Sequence, residues 1–286
     1  MASIIDLPDF MFNYNKISYG KFSKIFITLF ALAIGFIHKH TNKNLFCFFM
    51  NLFFKKDGRI YFKDNHYSKI LWNGSEFSYT NKRIDRIIID HKKNFEVLYN
   101  TYCLDMIDFQ DNDKVIDCGA NVGELYISFK IRNQNIDYIA FEPDTQIFQT
   151  LQKNLSKYSK NLYSYALSDE NANNSFYLSS DGADSSLIYS GFDEKITVET
   201  KTLDSFKYSN VKLLKIEAEG AELEVLKGAA NSLVNVQYIS VDYGPERGLD
   251  NESTSVDIIN FLYSHNFKII NVSKYRQVGL FKNILF

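Results

Sequence analysis

An acid stands at residue 117, glycines follow at 119 and 123 with Asn121 between them, and a second acid, Glu142, comes 19 residues after Gly123. The apolar pair Val115-Ile116 runs into this D-x-G-x-N-x-G turn, and Phe141-Glu142-Pro143 closes the next apolar run. A parallel strand that breaks into a glycine turn and then a helix brings backbone close to a ligand, because glycine has no Cβ to obstruct the approach. An acid at the tip of the following strand is placed to accept hydrogen bonds from both ribose hydroxyls. The pattern points to a nucleotide cofactor. A dinucleotide turn would read G-x-G-x-x-G and set its helix on a pyrophosphate, which this chain does not match. Asp117 at the strand end suits a ligand carrying an ammonium and a sulfonium better than one carrying two phosphates.

A second constellation lies at 211–220, which reads V-K-L-L-K-I-E-A-E-G. A strand inside a parallel sheet is covered on both faces and normally reads as an unbroken apolar run. Here the two-residue period puts Lys215 and Glu217 on one face and Leu214 and Ile216 on the other. Ligands in open α/β sheets bind outside the carboxyl ends of the strands, so this charged pair lies over the cofactor turn. Glu219 and Glu222 follow at once, with Gly220 opening the next helix. The structural alternative is an ion pair at a sheet end, since an unpaired buried charge is costly. Cys47, Cys103 and Cys118 form neither a disulfide framework nor a zinc motif, and the histidines are scattered, so no thiol or imidazole chemistry is assigned.

These residues resemble the class I S-adenosylmethionine methyltransferases, and further motifs narrow the resemblance to the FkbM family. That family's pattern runs D-x-G-A-N-x-G, F-E-P, A-L-S-D, Ser-Ser-Leu, T-L-D and K-I-D-x-E-G-x-E, with L-x-G-A in the next helix. This chain matches at 117–123, 141–143, 166–169, 185–187, 202–204, 215–222 and 226–229, so the resemblance covers about residues 95–245. It implies S-adenosylmethionine as cofactor, with the turn from Gly119 through Asn121 to Gly123 holding the methionine end and Asp117 its ammonium. Glu142 would hold the ribose, and Ser168 and Asp169 the adenine, Asp169 through the amino group. Glu217 is the first candidate for a general base, with Lys215 orienting it or steering the acceptor and Glu219 completing the catalytic set. Ser185, Ser186, Glu222 and Asp242 are assigned to the acceptor side, the serines in a lid loop at 179–191.

One departure is that Glu217 stands where the family usually has Asp, which moves the carboxylate outward by one methylene. No metal site is assigned, although Glu217 and Asp242 end adjacent strands and could together hold a hard cation that polarises the acceptor. The expected reaction is in-line transfer of a methyl group to a hydroxyl, by family analogy on a sugar of a surface glycan or lipid-linked saccharide. A nicotinamide-dependent sugar oxidoreductase or epimerase shares the ribose-binding acid but would need the phosphate turn that is missing. A catalytically silent scaffold of the same fold finds its support in Glu217 alone.

Positioning these groups calls for a doubly wound, mostly parallel α/β domain over residues 95–286. The spacing predicts strands at 138–142, 162–167, 211–217 and 236–241, and short edge strands at 176–178 and 196–200. Helices are expected at 95–106, 221–233 and 256–265, the last capped by Ser255, and another follows Asp144 as N-cap. Strands at 267–272 and 277–285 would close the sheet as an antiparallel hairpin. Before this domain, residues 58–94 read as a small antiparallel β segment with a hairpin at Asn73-Gly74. Residues 1–57 read as a helical segment with an apolar run at 25–37 and an aromatic cluster at 45–54. The run is shorter than the roughly 20 residues a bilayer crossing needs. The expectation for residues 16–56 is therefore contact with the inner leaflet of a membrane through Lys16, Lys21, Lys24, Lys39, Lys43, Lys55 and Lys56, with a second copy of the chain, or with the main domain. A net charge of −2 argues against a nucleic-acid partner, and the cysteine usage suits a cytoplasmic location.

Overall fold

The computed structural model describes residues 21–53, 57–71, 73–79, 91–179 and 184–286. The chain forms two compact units, Met1–Val97 and Leu98–Phe286. The side chains of Lys16, Lys21, Lys24, Lys55 and Lys56, and Gly182 of the expected lid loop, lie outside the described residues.

In the first unit, helices α1 (Lys21–His40) and α2 (Lys43–Phe53) precede a three-stranded antiparallel sheet of β1 (Gly58–Lys63), β2 (His66–Leu71) and β3 (Glu76–Tyr79). The hairpin expected at Asn73-Gly74 joins β2 to β3, with Gly74 at φ 83 and its N–H donating to the Leu71 carbonyl at 2.9 Å. Asn51 of α2 pairs both ways with the backbone of Ile60 in β1, each bond 2.7 Å. An amide that donates and accepts in this way takes the place of a neighbouring strand at the sheet edge. Helix α3 (His91–Thr101) contains the division between the units, and a 3-10 turn, Leu104–Met106, follows it. The helix expected at 95–106 is broken there because Cys103 adopts the left-handed conformation at φ 56.

The second unit is built on a seven-stranded sheet. Its strands are β4 (Lys114–Cys118), β5 (Asp137–Phe141), β6 (Asn161–Tyr163), β10 (Val211–Ile216), β11 (Val236–Asp242), β14 (Phe267–Val272) and β15 (Val278–Asn283), in the spatial order β14-β15-β11-β10-β4-β5-β6. Only β15 runs against its neighbours, between β11 and β14, so the expected closing hairpin is present. Helices α4 (Glu124–Ile131) and α5 (Thr145–Leu155) cover one face, where Leu125, Phe129, Leu151 and Leu155 pack with Val115 and Leu213. Helices α6 (Glu222–Lys227) and α7 (Ser255–Ser264) cover the other, where Val225, Leu226, Ile258 and Leu262 pack with Ile116 and Leu214. Consecutive residues of β4 and β10 thus feed opposite cores, which is the doubly wound α/β architecture.

Three further expectations are corrected. The strand expected at 162–167 splits into β6 and the two-residue β7 (Ala166–Leu167), which joins β8 (Ala172–Tyr177) and β9 (Lys195–Lys201) in a separate sheet ordered β7-β9-β8. The helix expected at 221–233 ends at Lys227, and the next residue, Gly228, lies so close to the Ser168 carbonyl that a Cβ there would meet it at 1.9 Å. Ser255 begins α7 rather than capping it, and Thr254 in the cap position makes no side-chain cap bond. Asp144 does cap α5, accepting from the N–H groups of Gln146 and Ile147 at 2.8 and 3.2 Å. A short ribbon, β12 (Pro245–Arg247) with β13 (Glu252–Ser253), follows β11.

Candidate active site

The carboxyl ends of three adjacent strands define the site. In register, Lys215 of β10 lies opposite Asp117 of β4 and Ser240 of β11, so Asp117, Lys215 and Asp242 share one face of the sheet. Lys215 is buried, and its ammonium stands 3.0 Å from Asp117 Oδ1 and 3.3 Å from Glu217 Oε2. It also donates to the carbonyls of Cys118 at 3.1 Å and Gly119 at 2.9 Å. Burial opposes its charge, but Asp117, the Tyr102 phenol and Glu217 outweigh that and hold its proton more tightly than in water. With four acceptors around three N–H groups, Lys215 has none left for an acceptor molecule. Its place is to pin the glycine turn to β10 and to orient Glu217.

Asp117 is likewise engaged on both oxygens, by Lys215 and by the Tyr138 hydroxyl. Burial pushes its carboxyl up, against the pull of Lys215. The expected role of gripping a cofactor ammonium therefore falls to a group already ion-paired inside the protein. The two glycines are also accounted for by protein packing. At Gly119, φ +75, a Cβ would meet the Glu217 carbonyl oxygen at 2.0 Å, and at Gly123, φ +91, it would meet Leu155 at 2.7 Å. What their missing side chains admit is β10 and α5.

Glu142 follows directly on β5. It is buried, with Oε2 accepting from the N–H of Asn121 at 2.9 Å and Oε1 from the N–H of Asp144 at 3.0 Å. Asn121, at φ 48, turns its own side chain back to the N–H of Val122. Burial lifts the Glu142 carboxyl to about 7. A carboxylate accepts about four hydrogen bonds, so two remain for a diol.

Glu217 is held from three sides. Arg276 Nη1 binds Oε1 at 2.6 Å, while Lys215 and the Tyr102 hydroxyl meet Oε2. The same guanidinium reaches Asp242 Oδ2 at 2.9 Å and Glu246 Oε1 at 3.0 Å through Nη2. Arg276 thus lies between Glu217 and Asp242, the position a bridging cation would need, and among the described residues no cluster of acids, histidines and cysteines is arranged to hold a metal ion. Asp242 spends its other oxygen on the N–H of Gly244 at 3.0 Å.

Glu219 is different. Its backbone is left-handed, φ 50, and Gly220 follows at φ 95. Several groups around its turn are fastened. Ser186 Oγ donates to the Glu219 carbonyl at 2.7 Å, Glu222 Oε1 accepts from the N–H groups of Ala218 and Gly220 at 2.8 and 3.1 Å, and Arg247 donates to the Gly220 carbonyl at 2.5 Å. The Glu219 carboxyl itself makes no hydrogen bond or ion pair among the described residues. Burial, with Glu246 and Glu217 nearby, raises its proton affinity well above the ordinary carboxylate range. Among the described residues, a left-handed backbone with fastened neighbouring groups thus holds a carboxyl that makes no hydrogen bond.

The remaining expected residues make these contacts within the protein. Ser186 is buried and anchors Glu219, and Ser185 accepts from the N–H of Ser179 at 3.0 Å. Glu222 caps its own turn and is pushed by burial to about 7. Ser168 and Asp169 follow β7, outside the seven-stranded sheet, with Asp169 exposed and its carboxylate accepting from the Ser168 hydroxyl at 3.2 Å. They pack on Gly228, so the A-L-S-D and L-x-G-A motifs are two halves of one contact. Asp204 of T-L-D takes the N–H groups of Asn231 and Ser232 at 3.1 and 2.7 Å, closing the turn beyond α6.

Tyr102, Arg276 and Glu246 were missed by sequence reading. A signal for Arg276 existed: β15 is antiparallel to β11 with Val278 opposite Asp242, so the β14–β15 turn must fall at the ligand-binding edge. Tyr102, in the aromatic stretch before β4, carries no such mark.

The methyltransferase FkbM domain model matches residues 117–269, more than half of the chain. The chain belongs to the FkbM methyltransferase family. Among its relatives is the hexuronic acid methyltransferase AglP of Haloferax volcanii, 27% identical over 139 residues, which are 46% of this chain and 56% of AglP. Another is the 2-O-methyltransferase NoeI of Sinorhizobium fredii, 23% identical over 154 residues, 46% of this chain and 63% of NoeI. The chain spans less than two thirds of either relative. A solved FkbM methyltransferase from Methylobacillus flagellatus is 18% identical, with a TM-score of 0.46 over 70% of this chain and 52% of that one. Membership of the FkbM family replaces the nicotinamide-dependent alternative.

Proposed function

We propose that this FkbM protein is an S-adenosylmethionine-dependent O-methyltransferase whose acceptor is a sugar hydroxyl, in a surface glycan or lipid-linked saccharide. The observation that carries the reading is the pairing of two acids at one sheet edge, Glu142 with spare lone pairs at the tip of β5 and Glu219 unspent beyond β10. The relatives AglP and NoeI, by their names, support a uronic acid or another sugar as acceptor. When bound, S-adenosylmethionine supplies an electrophilic methyl group on a sulfonium. Glu142 fits its ribose, and the turn from Gly119 to Gly123 is assigned to its methionine end by the family resemblance alone.

The chain's own contribution is position and a proton acceptor. Holding acceptor oxygen and methyl carbon in line can supply about 7 to 11 kcal/mol of a barrier in favourable cases. Glu219 takes the acceptor hydroxyl's proton as the new O–C bond forms, and its raised proton affinity makes it a stronger base than an ordinary carboxylate. Glu217, the first candidate from sequence, becomes the charged post that Lys215, Tyr102 and Arg276 hold in place beside it. A silent scaffold remains the second reading, favoured by the full engagement of both Glu217 oxygens.

Calorimetry with S-adenosylmethionine and S-adenosylhomocysteine, followed by transfer of labelled methyl into uronic acid and hexose glycosides, tests the proposal. Binding with transfer is the expected result. Binding without transfer to any hydroxyl acceptor supports the scaffold, and the absence of binding ends both readings.

A further inference from the structure

A helix at the surface of a water-soluble domain buries one apolar stripe and offers water a polar one. Helices α1 and α2 are apolar on both sides. Inward, Ile34 of α1 and Phe46, Cys47 and Met50 of α2 are buried. Outward, Leu29, Leu32 and Phe36 recur along one face of α1, with Phe36 64% exposed. Leu45, Phe48 and Leu52 repeat that spacing on α2, where Phe48 is 57% and Phe53 67% exposed. Lys39 and His40 at the end of α1 and Lys43 at the start of α2 are exposed beside them. The charge is one-signed: from Phe10 to Lys56 the sequence holds seven lysines and none of the chain's 34 Asp and Glu.

Two occupants would cover such a face, a second copy or a lipid surface. A symmetric contact between copies sets the same patch against itself, which would bring uncompensated lysines together. An anionic headgroup layer neutralises them and takes exposed Phe and Leu into the acyl boundary. The same layer repels the rest of the chain, which carries every carboxylate, and so confines contact to this segment. No helix among the described residues is long and apolar enough to cross a membrane, so the contact is lateral.

We propose that the outward face of α1 and α2, built on Leu29, Leu32, Phe36, Leu45, Phe48 and Leu52, binds the surface of an anionic bilayer with the helices lying in the interface. The inference does not depend on the methyl acceptor.

The test is co-sedimentation of the full chain with vesicles of phosphatidylcholine alone or with about 30% phosphatidylglycerol, at low and high salt. Expected is partitioning at least about tenfold stronger into the anionic vesicles, weakening with salt. The double variant F36E/F48E changes only exposed positions; it should keep the wild-type melting temperature and bind anionic vesicles about tenfold or more weakly. No binding to anionic vesicles, or equal binding by wild type and F36E/F48E, overturns the proposal. So does a wild-type dimer in analytical ultracentrifugation that F36E/F48E converts to monomer while neither form binds vesicles, which assigns the face to a second copy.

Discussion

Arg276 decides how the acids at the sheet edge share charge, since one guanidinium meets Glu217, Asp242 and Glu246. The fork geometry of Arg is needed to reach all three, and Lys cannot reproduce it. Arg276→Ala should lower unfolding free energy by about 2 kcal/mol in urea titrations, because a buried carboxylate at Asp242 loses its partner. Adding Asp242→Asn should recover part of that loss, and a strictly additive double variant would show that the two do not interact. Glu219 carries the chemical prediction. Glu219→Gln should cut kcat by about 10² to 10⁴ with the affinity for S-adenosylhomocysteine nearly unchanged. In the wild type, kcat should rise with pH through a group well above the ordinary carboxylate range, since a base works only when deprotonated; burial, with Glu246 and Glu217 nearby, sets that direction. A flat profile, or an unaffected Gln variant, removes Glu219 as base.

At the level of elements, the glycine turn is a joint between strands and helices. Gly119 sits where β4 leaves the sheet and has the backbone of Glu217 against it, whereas Gly123 starts α4 against the side chains of Leu155 and Leu151. A backbone carbonyl cannot rotate away as a leucine can. Gly119→Ala should therefore cost more than Gly123→Ala, with the latter near the about 1 to 3 kcal/mol typical of overpacking plus a φ penalty. Trimming the neighbour in Gly123→Ala/Leu155→Ala should remove the steric part of that cost, as read from melting curves of the single and double variants. The expected third strand shows the limit of reading elements from pattern. Residues 162–167 read as one strand in sequence, yet hydrogen bonding divides them between two sheets. Ser168 and Asp169, which follow β7, pack on Gly228.

For the whole molecule, three carboxyls, Glu142, Glu222 and Glu246, are lifted to about 7, in each case chiefly by burial. The unfolded chain releases those protons near pH 4.5, so the native state binds more protons over the interval and stability falls as pH rises toward 7 and beyond. Each group contributes about 1 kcal/mol of loss between pH 6 and 8 by this linkage. The ligand-free protein should melt several degrees lower at pH 8 than at pH 6 by scanning calorimetry, and Glu142→Gln should shrink the difference. A cofactor whose ribose donates to ionised Glu142 should bind more tightly at pH 8 than at pH 6. The sequence alone determined the glycine turn, the acid at the next strand tip, the charged end of β10, the doubly wound class and the lysine-rich apolar start. Each of these is written locally, in a two-residue or helical period, a glycine that must take positive φ, or a strand end. Which acids remain free for chemistry was decided only in three dimensions. Glu217 lies 59 residues from Arg276 and 115 from Tyr102, and a charge finds its partners by the packing order of strands and turns, which no local spacing records.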